Sequence, residues 1–249
     1  MNKVNYKILV TGGAGMIGSN LVKKLVDLGF EVFVADNLWR GKREYLFSNK
    51  KKMIVMENNF YQIDLRNYEN CLKVTKDIDI VVHLADIVAG INYVFANESS
   101  VYRSNILINS NTLQACIKNK VKKFIYAGTA CSYPKSKQSK LNPKPFKEKE
   151  VYPAEPESAY GWSKLMGNYE ADLLMKEKNI NVAHLMLHNV YGSPCDFSIE
   201  RSQVIPSLIR KAVNFPNEDF NVWGSGKQGR AFIHVDDVVS GIMNCLDKG

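Results

Sequence analysis

The residues with the clearest chemical meaning are a tyrosine and a lysine four positions apart, Tyr160 and Lys164, in the segment YGWSK. A long helical pattern begins there, so the two side chains fall one turn apart on the same helix face. A nearby ammonium lowers the pKa of a phenol from its ordinary value of about 10, toward a value that suits proton transfer. The pair therefore predicts a tyrosine that exchanges a proton with a substrate hydroxyl.

Two more polar side chains follow a predicted buried strand at Lys123–Gly128. Thr129 comes directly after this strand, where its hydroxyl could bridge the phenol and a substrate hydroxyl. Cys131 lies two residues later, so in an extended segment it faces the same way as Thr129. A thiolate there could act as a base toward an acidic C–H bond, and the alternative is a small buried apolar residue.

A glycine-rich string, TGGAGMIG at residues 11–18, joins a strand-like run to an amphipathic helical pattern. Gly12, Gly15 and Gly18 permit a tight turn and a close approach of the backbone to a pyrophosphate. Met16 and Ile17 begin the helix, whose free N–H groups and dipole attract an anion. This string, between a strand and a helix, predicts a dinucleotide site.

The second predicted strand ends in Asp36, which is followed by Asn37. A carboxylate at this point accepts hydrogen bonds from the adenosine ribose and repels a 2′-phosphate, so NAD is favoured over NADP. Arg40, Lys42 and Arg43 follow closely and keep NADP as an alternative. We expect Asp36, Asn37 and Arg40 to contact the cofactor.

Two other strand ends carry candidate cofactor contacts. Asp64 and Leu65 follow the third strand region and could hold the adenine. Leu84 and Ala85 follow the fourth strand, where small residues let the cofactor lie close. His83, which precedes them, is expected to be structural rather than catalytic.

Apolar runs that alternate with helical patterns must position these residues, and they predict an α/β fold with a doubly wound parallel sheet, the Rossmann arrangement. The predicted strands are Lys7–Thr11, Glu31–Asp36, Met53–Met56, Ile80–Leu84, Lys123–Gly128 and Asn181–Leu187. The predicted helices are Met16–Leu28, Tyr68–Thr75, Val101–Asn119 and Ala159–Lys178. The stretch Lys135–Pro156 is expected to be a loop over the site.

The division predicted from these patterns is an NAD-binding Rossmann domain at 1–195 and a small second subdomain at 196–249. The second part contains a predicted helix at Val204–Val213, a short strand at Phe220–Trp223 and a helix at Asp236–Leu246.

Composition excludes several classes of protein. The chain has 249 residues, a net charge of +8 and five scattered cysteines without a CxxC pair, so neither a disulfide framework nor a metal site is expected. The lysines lack interleaved aromatic residues, which argues against a nucleic-acid partner. No apolar run is long enough to span a membrane, and no signal peptide is evident, so we expect a cytoplasmic protein without a membrane partner.

Taken together, the glycine string, Asp36, the HLA run at 83–85, Thr129 and YGWSK resemble the extended short-chain dehydrogenase/reductases, that is, the NAD-dependent epimerase/dehydratase family. The resemblance covers essentially the whole chain. It is closest to members that convert GDP-hexoses, which oxidise or reduce sugar carbon 4 and epimerise carbons 3 and 5 with a cysteine base and a Lys or His acid. It implies NAD as cofactor, a nucleotide sugar, GDP-linked, as substrate, and a homodimer.

The resemblance implies that the subdomain at 196–249 binds substrate and is incomplete, because relatives continue beyond this segment. It also implies a set of substrate-binding residues. These are Gly90, Asn189, Arg201, Gln203, Trp223 and Arg230. The pattern departs from the family at Gln203, which occupies the position of the acid, because an amide cannot deliver a proton at neutral pH. Core packing is an alternative role for Trp223.

The sequence thus predicts an NAD-dependent nucleotide-sugar epimerase that works through transient oxidation at carbon 4, with Thr129, Tyr160, Lys164 and Cys131 as catalytic residues. One alternative is a 4-ketoreductase, dehydrogenase or 4-epimerase that does not use the cysteine. Another is an NAD-binding protein without catalysis, which would have no need of a tuned phenol.

Overall fold

The computed structural model describes residues 6–47, 54–138, 144–178, 180–222, 224–227 and 229–248. The strands are β1 (Lys7–Thr11), β2 (Glu31–Asp36), β3 (Phe60–Gln62), β4 (Ile80–His83), β5 (Lys123–Thr129), β6 (Asn181–Leu187), β7 (Asn189–Tyr191) and β8 (Phe232–His234). The helices are α1 (Met16–Asp27), α2 (Tyr68–Thr75), α3 (Ile91–Ala96), α4 (Glu98–Lys118), α5 (Lys135–Gln138), α6 (Ala159–Lys178), α7 (Val204–Asn214) and α8 (Val235–Lys248).

Within the described residues, six parallel strands form one sheet in the order β3-β2-β1-β4-β5-β6. The chain moves outward from β1 to β3 and then crosses back to β4 on the other side of β1. In such sheets the ligand crevice opens where the strand order reverses, at the carboxyl ends of the strands. The doubly wound fold that the sequence predicts is confirmed.

Each face of the sheet is covered by helices, because the side chains of a strand alternate between the two faces. Ile8 and Val10 of β1 point into a core that α1 and α8 complete. Leu9, between them, points into the opposite core, which contains buried residues of α2, α4 and α6. The carboxyl ends of the strands are therefore held rigidly between two packed layers.

Helix α8 belongs by its packing to this sheet, although it lies in the segment predicted as a separate subdomain. Val238, Ile242 and Leu246 are buried in the same core as α1. The ammonium of the buried Lys123, at the start of β5, donates to the carbonyls of Cys245 (3.0 Å) and Leu246 (3.2 Å). These bonds satisfy carbonyls at the end of a helix, where a cation is also favoured by the helix dipole. The division at residue 195 itself stays a prediction.

The predicted strand at Met53–Met56 is wrong for its described residues, 54–56, which form a bend. The third strand is β3, a short edge strand with half-buried Phe60 and Tyr61. Val55 is buried and Ile54 packs against the first core, so the apolar character of this run reflects packing of a loop rather than strand pairing. Helix α4 also begins earlier than predicted, at Glu98.

The segment after residue 188 differs from expectation as well. Residues 220–222 are not a strand, and Trp223 lies outside the described residues. Instead β7 pairs in parallel with β8, beside the end of β6. Among the described residues, no helix combines the length and the apolar character needed to cross a bilayer.

Candidate active site

A cavity of about 2030 Å³ lies at the carboxyl ends of the strands. The predicted cofactor and catalytic residues on its wall are Gly12, Gly15, Met16, Ile17, Gly18, Asp36, Asn37, Arg40, Asp64, Leu65, Leu84, Ala85, Thr129, Cys131, Tyr160 and Lys164. The predicted substrate residues on its wall are Gly90, Asn189, Gln203 and Arg230. The fold thus brings residues from distant parts of the chain to one cavity, and the role of each stays a prediction.

The glycine loop between β1 and α1 has a backbone that side chains would not tolerate. Gly12 adopts φ +67°, and a Cβ there would lie 2.9 Å from the backbone nitrogen of Ala85. A Cβ on Gly18 would lie 2.3 Å from the Gly12 carbonyl oxygen. Gly15 precedes α1 without a side-chain cap, and the first turn of α1 has no acidic residue. The loop therefore leaves room and free N–H groups for a phosphate.

Asp36 is fixed at the end of β2 by two backbone donors. The N–H of Ala14 donates to Oδ2 (2.9 Å) and the N–H of Leu38 donates to Oδ1 (2.8 Å). Burial raises the pKa of this carboxyl, and the two hydrogen bonds partly offset that rise. Each carboxylate oxygen retains a further lone pair, which can accept from a ribose hydroxyl.

Beside Asp36, a second carboxylate borders the expected adenosine end. Asp64 accepts from Arg66 through Nε (3.0 Å) and Nη2 (2.5 Å), and this hydrogen bonding lowers its pKa. The side chain of Asn37 also bonds to Asp64, and Leu65 is buried next to it. The pair of polar residues and the leucine form a wall suited to a purine ring.

The guanidinium of Arg40 is not directed toward Asp36. Its Nη1 donates to the carbonyl of Val88 (3.0 Å), and its Nε lies 3.9 Å from the carboxylate of Asp196. The guanidinium therefore reaches across the cavity toward the segment after β7. In this arrangement Arg40 cannot at the same time meet a 2′-phosphate near Asp36.

His83, at the end of β4, is held as a neutral structural group. Thr11 Oγ1 accepts from the N–H groups of Leu84 (3.1 Å) and Ala85 (3.2 Å), so its own proton points to His83 Nδ1 (2.9 Å). The other ring nitrogen, Nε2, then donates to Asn109 Oδ1 (3.0 Å). Burial lowers the pKa of His83 to about 3. This chain of bonds fixes Leu84 and Ala85 against the glycine loop.

At the other side of the cavity, β5 ends in Thr129 and α6 begins beside it. The Thr129 hydroxyl lies close to the Tyr160 phenol, where it acts to lower the pKa of the phenol against the larger rise caused by burial. The N–H of Cys131 donates to Thr129 Oγ1 (3.2 Å). A Cβ on Gly161 would lie 2.3 Å from the Cys131 carbonyl oxygen, so only glycine lets α6 come this close. The YG dipeptide thus places Tyr160 against Thr129 and Cys131.

Lys164 has a partner that the sequence reasoning missed. Its ammonium donates to Oδ2 of Asp86, and both side chains are only 3% exposed. It also lies 4.3 Å from the ring centroid of Tyr126. Asp86 lies three residues past β4, directly after Ala85. The sequence feature that could have identified Asp86 is its position as an acidic residue next to the end of a predicted strand.

The pKa of Tyr160 is raised well above its ordinary value, which is opposite to the shift that the Tyr–Lys spacing predicts. Burial is the largest cause, and the negative charge of Asp86 adds to it. Since Asp86 is paired with Lys164, it offsets the charge of the ammonium. Arg40 lowers the pKa of the phenol. In the ligand-free protein the phenol is therefore protonated.

Cys131 lines the cavity, but its backbone is not in the extended conformation that the sequence predicts. Residues 130–132 form a turn of 3₁₀ helix rather than an extended segment, so alternation does not align Cys131 with Thr129. Burial raises the pKa of the thiol, and Glu157 raises it further, while the Thr129 hydrogen bond and Arg230 lower it. The thiol is accessible from the cavity but protonated at neutral pH.

The predicted substrate residues occupy the far rim. Asn189 donates to the carbonyl of Ala231 (3.1 Å), and Arg230 makes its hydrogen bond to the neighbouring Gly229 carbonyl (2.8 Å). Gln203 precedes α7 without capping it, so its amide is not used by the helix. Both Gln203 and Arg230 can therefore turn toward a ligand.

Arg201 is the described substrate residue that does not line the cavity. Its Nη1 donates to the carbonyl of Trp39 (2.7 Å), and its Nε lies 3.6 Å from Asp196. Its own carbonyl accepts from the N–H of Gly90 (3.3 Å). A Cβ on Gly90 would lie 2.7 Å from the carbonyl oxygen of Ser202. These contacts join the loop after β4 to the segment before α7.

Comparison with known proteins agrees with this geometry. Residues 8–249 match the profile of the NAD dependent epimerase/dehydratase family. GDP-mannose 3,5-epimerase of Arabidopsis thaliana is 33% identical over 239 residues, which are 96% of this chain and 61% of that protein. The chain thus spans about 61% of the length of this relative.

Solved structures extend the likeness to UDP-sugar enzymes. UDP-glucose 4-epimerase of Thermotoga maritima, solved with UDP-glucose, superimposes with a TM-score of 0.81 at 30% identity, over 98% of this chain and 74% of that one. UDP-glucose 4-epimerase of Thermus thermophilus, solved in complex with NAD, gives a TM-score of 0.78 at 26% identity, over 96% of this chain and 74% of that one. Because the family profile matches residues 8–249, the chain belongs to the NAD-dependent epimerase/dehydratase family.

Proposed function

We propose that this protein is an NAD-dependent nucleotide-sugar epimerase that transiently oxidises carbon 4 of a GDP-linked hexose. The observation that carries the proposal is a single cavity that joins the glycine loop and Asp36 to Thr129, Tyr160 and Cys131. One side is built for a dinucleotide, and the other holds groups that move protons.

The residues present fit NAD. The close backbone approach at Gly12 and the free start of α1 suit the pyrophosphate, and Asp36 suits the adenosine ribose. When bound, NAD accepts a hydride from the sugar and returns it. NAD is preferred to NADP because Asp36 repels a 2′-phosphate and Arg40 is engaged elsewhere.

Tyr160 takes the proton from the hydroxyl on carbon 4 during oxidation and returns it during reduction. Thr129, which lies close to the phenol, orients that hydroxyl. Because the pKa of Tyr160 is high in the ligand-free protein, ligand binding must lower it before the proton moves. Arg40, whose charge already lowers the pKa of the phenol, and Lys164, one helical turn from Tyr160, are the cations that we expect to do so.

Cys131 then acts as a base toward the ring carbons next to the ketone, whose protons the ketone has made acidic. Its position beside Thr129 and Tyr160 supports this role. Gln203 lines the same cavity but cannot supply a proton to the opposite face of the ring. We therefore expect removal of ring protons to outrun inversion of the carbon.

A GDP-linked substrate is favoured by the 33% identity to GDP-mannose 3,5-epimerase. The second candidate is a UDP-sugar 4-epimerase that does not use the cysteine. Two observations favour it: Gln203 replaces an acid, and the structure superimposes on a UDP-glucose 4-epimerase. A cytoplasmic location stays a prediction.

A homodimer through α4 and α6 is also part of the proposal. These two long helices pack against each other on one side of the sheet. Exposed apolar side chains remain on them, namely Tyr102, Leu107, Tyr169 and Leu173. Such residues on paired helices suit an interface with a second copy.

The test is an NMR assay of the protein with NAD and a panel of GDP- and UDP-hexoses. New sugar signals from a GDP-hexose support the proposal, and signals from UDP-hexoses alone favour the 4-epimerase. If no sugar in the panel is converted while NAD binds, the protein is a cofactor-binding protein without this catalysis.

A further inference from the structure

Asp86 is a buried carboxylate that contacts no ligand in the proposed mechanism. Its Oδ2 accepts from the Lys164 ammonium, and its side chain is 3% exposed. Its Oδ1 is shielded from solvent and has no hydrogen-bond donor among the described residues. An ionised carboxylate can accept about four hydrogen bonds, and leaving one oxygen unsatisfied in the interior is costly.

The place of Asp86 in the fold shows what could satisfy this oxygen. It lies on the cavity wall just past β4, which pairs with β1 on one side and β5 on the other. A dinucleotide held at Asp36 and at the glycine loop after β1 must continue toward β4 and β5 to bring its reactive ring near Tyr160. The ribose beyond the pyrophosphate would then pass Asp86.

The chemistry of that ribose matches the unsatisfied oxygen. Its two hydroxyls are donors, as are those of the adenosine ribose that we assign to Asp36. The neighbouring Lys164 ammonium has three donors and is given one acceptor, Asp86, by the described residues. A hydroxyl can therefore donate to Asp86 and accept from Lys164 at once.

We propose that Asp86 is a second ribose-binding carboxylate, whose Oδ1 accepts a hydrogen bond from a hydroxyl of the ribose on the nicotinamide side. This inference rests on the proposed NAD site.

The test separates the two riboses by using two ligands. ADP contains the adenosine ribose and the pyrophosphate, whereas ADP-ribose adds the second ribose. Dissociation constants are measured by calorimetry for the wild type and for Asp86→Ala. The variant should bind ADP-ribose about 10-fold or more weakly, the scale of one hydrogen bond to a charged group, and ADP within about twofold of wild type.

Asp86→Asn covers the case in which the alanine variant fails to fold. Its neutral oxygen accepts a weaker hydrogen bond, so we expect about a fivefold loss for ADP-ribose alone. Asp79→Asn is the matched control, because Asp79 also pairs with a lysine, Lys122 (2.7 Å), but does so outside the cavity lining. It should leave the binding of both ligands unchanged.

The remaining outcomes overturn the proposal. Unchanged ADP-ribose affinity in both Asp86 variants, or an equal loss for ADP and ADP-ribose, excludes a contact with the second ribose. Tighter ADP-ribose binding would show that Asp86 competes with the ribose for Lys164. If wild-type protein binds neither ADP nor ADP-ribose, the proposed NAD site fails, and that result is distinct from the others.

Discussion

The dinucleotide end of the cavity, formed by the glycine loop and Asp36, and the chemical end, around Thr129, Tyr160 and Lys164, differ in how fully their polar side chains are bonded. At the dinucleotide end, both oxygens of Asp36 hold backbone donors, and Thr11 bonds to His83 and to two N–H groups. At the chemical end, Asp86 Oδ1 has no donor among the described residues and Gln203 does not cap its helix. The polar side chains of the first end are held by the fold itself, whereas those of the second end keep hydrogen-bonding capacity for a ligand.

Burial raises pKa values at both ends of the cavity. At Asp36, two backbone N–H groups partly offset the rise. The pKa values of Tyr160 and Cys131 are also raised mainly by burial, so both side chains are protonated at neutral pH. For the proposed proton transfers, ligand binding must therefore activate them.

The largest effect should come from Cys131→Ser at the chemical end. Because a hydroxyl is a far weaker base than a thiolate, deuterium incorporation at sugar carbon 3 or 5 in deuterium oxide should be abolished. Oxidation at carbon 4 should persist. In the wild type, the incorporation rate should rise with pH across the neutral range, because the raised pKa of the Cys131 thiol leaves the thiolate a minor form there.

Wild-type protein that oxidises a sugar yet incorporates no deuterium would remove Cys131 from the mechanism and favour the carbon-4 chemistry alone. Gln203→Lys extends the test. A lysine there supplies the missing acid, so the ratio of inverted to exchanged sugar should increase. An unchanged ratio would show that Gln203 does not face the ring.

Tyr160→Phe should lower turnover by about 100-fold or more, the usual scale for loss of a general acid–base group. Turnover is measured by NMR of the sugar, and NAD binding by calorimetry. Binding should remain close to that of the wild type, because the ring is kept and only the hydroxyl is lost. Near-normal turnover would contradict the role assigned to Tyr160.

At the dinucleotide end, Gly12→Ala should weaken NAD binding by about 10-fold or more, because its Cβ meets the Ala85 backbone at 2.9 Å where the cofactor must pass. Gly29→Ala is the matched control. Gly29 has a similar positive φ, +84°, but has nothing within 4 Å of an added Cβ. It should lower the free energy of unfolding by about 1 kcal/mol and leave NAD binding intact.

Equal NAD affinities for these two glycine variants would mean that the close approach at Gly12 has no part in binding. Thermal unfolding of both proteins shows whether a loss of affinity merely follows a loss of stability.

The smallest effect is expected for Asp36→Ala, measured as the ratio of NADP to NAD dissociation constants. Removing the carboxylate removes both an acceptor for the ribose and the repulsion of a 2′-phosphate. The ratio should shrink by roughly fivefold, about 1 kcal/mol. A wild-type protein that binds the two cofactors equally would contradict the role of Asp36.

The dinucleotide end was predictable from the sequence because its determinants are local. Gly12, which adopts a positive φ, and the carboxylate at the end of β2 can each be recognised within one short, continuous segment of sequence. The site residues that were missed or misplaced depend on distant contacts. Asp86 is paired with Lys164, 78 residues away, and the Arg201 guanidinium is bonded to the carbonyl of Trp39, 162 residues away.

Secondary structure shows the same limit. The run at 54–56 is apolar because a loop packs on the core, and β7 pairs with β8 across more than 40 residues. Neither fact is visible in a short window of sequence. The direction of the Tyr160 pKa shift was also unpredictable, since it depends on burial and on the charge that Asp86 adds.

The bonds between Lys123 and the end of α8 bear on where this chain can be cut. A fragment that ended near residue 195 would leave the buried Lys123 ammonium without its two carbonyl acceptors and would uncover the apolar surface beneath Val238, Ile242 and Leu246. Lys123 begins the same strand that ends in Thr129. We therefore expect the folding unit to include α8, which is bonded to β5 at the end opposite to Thr129.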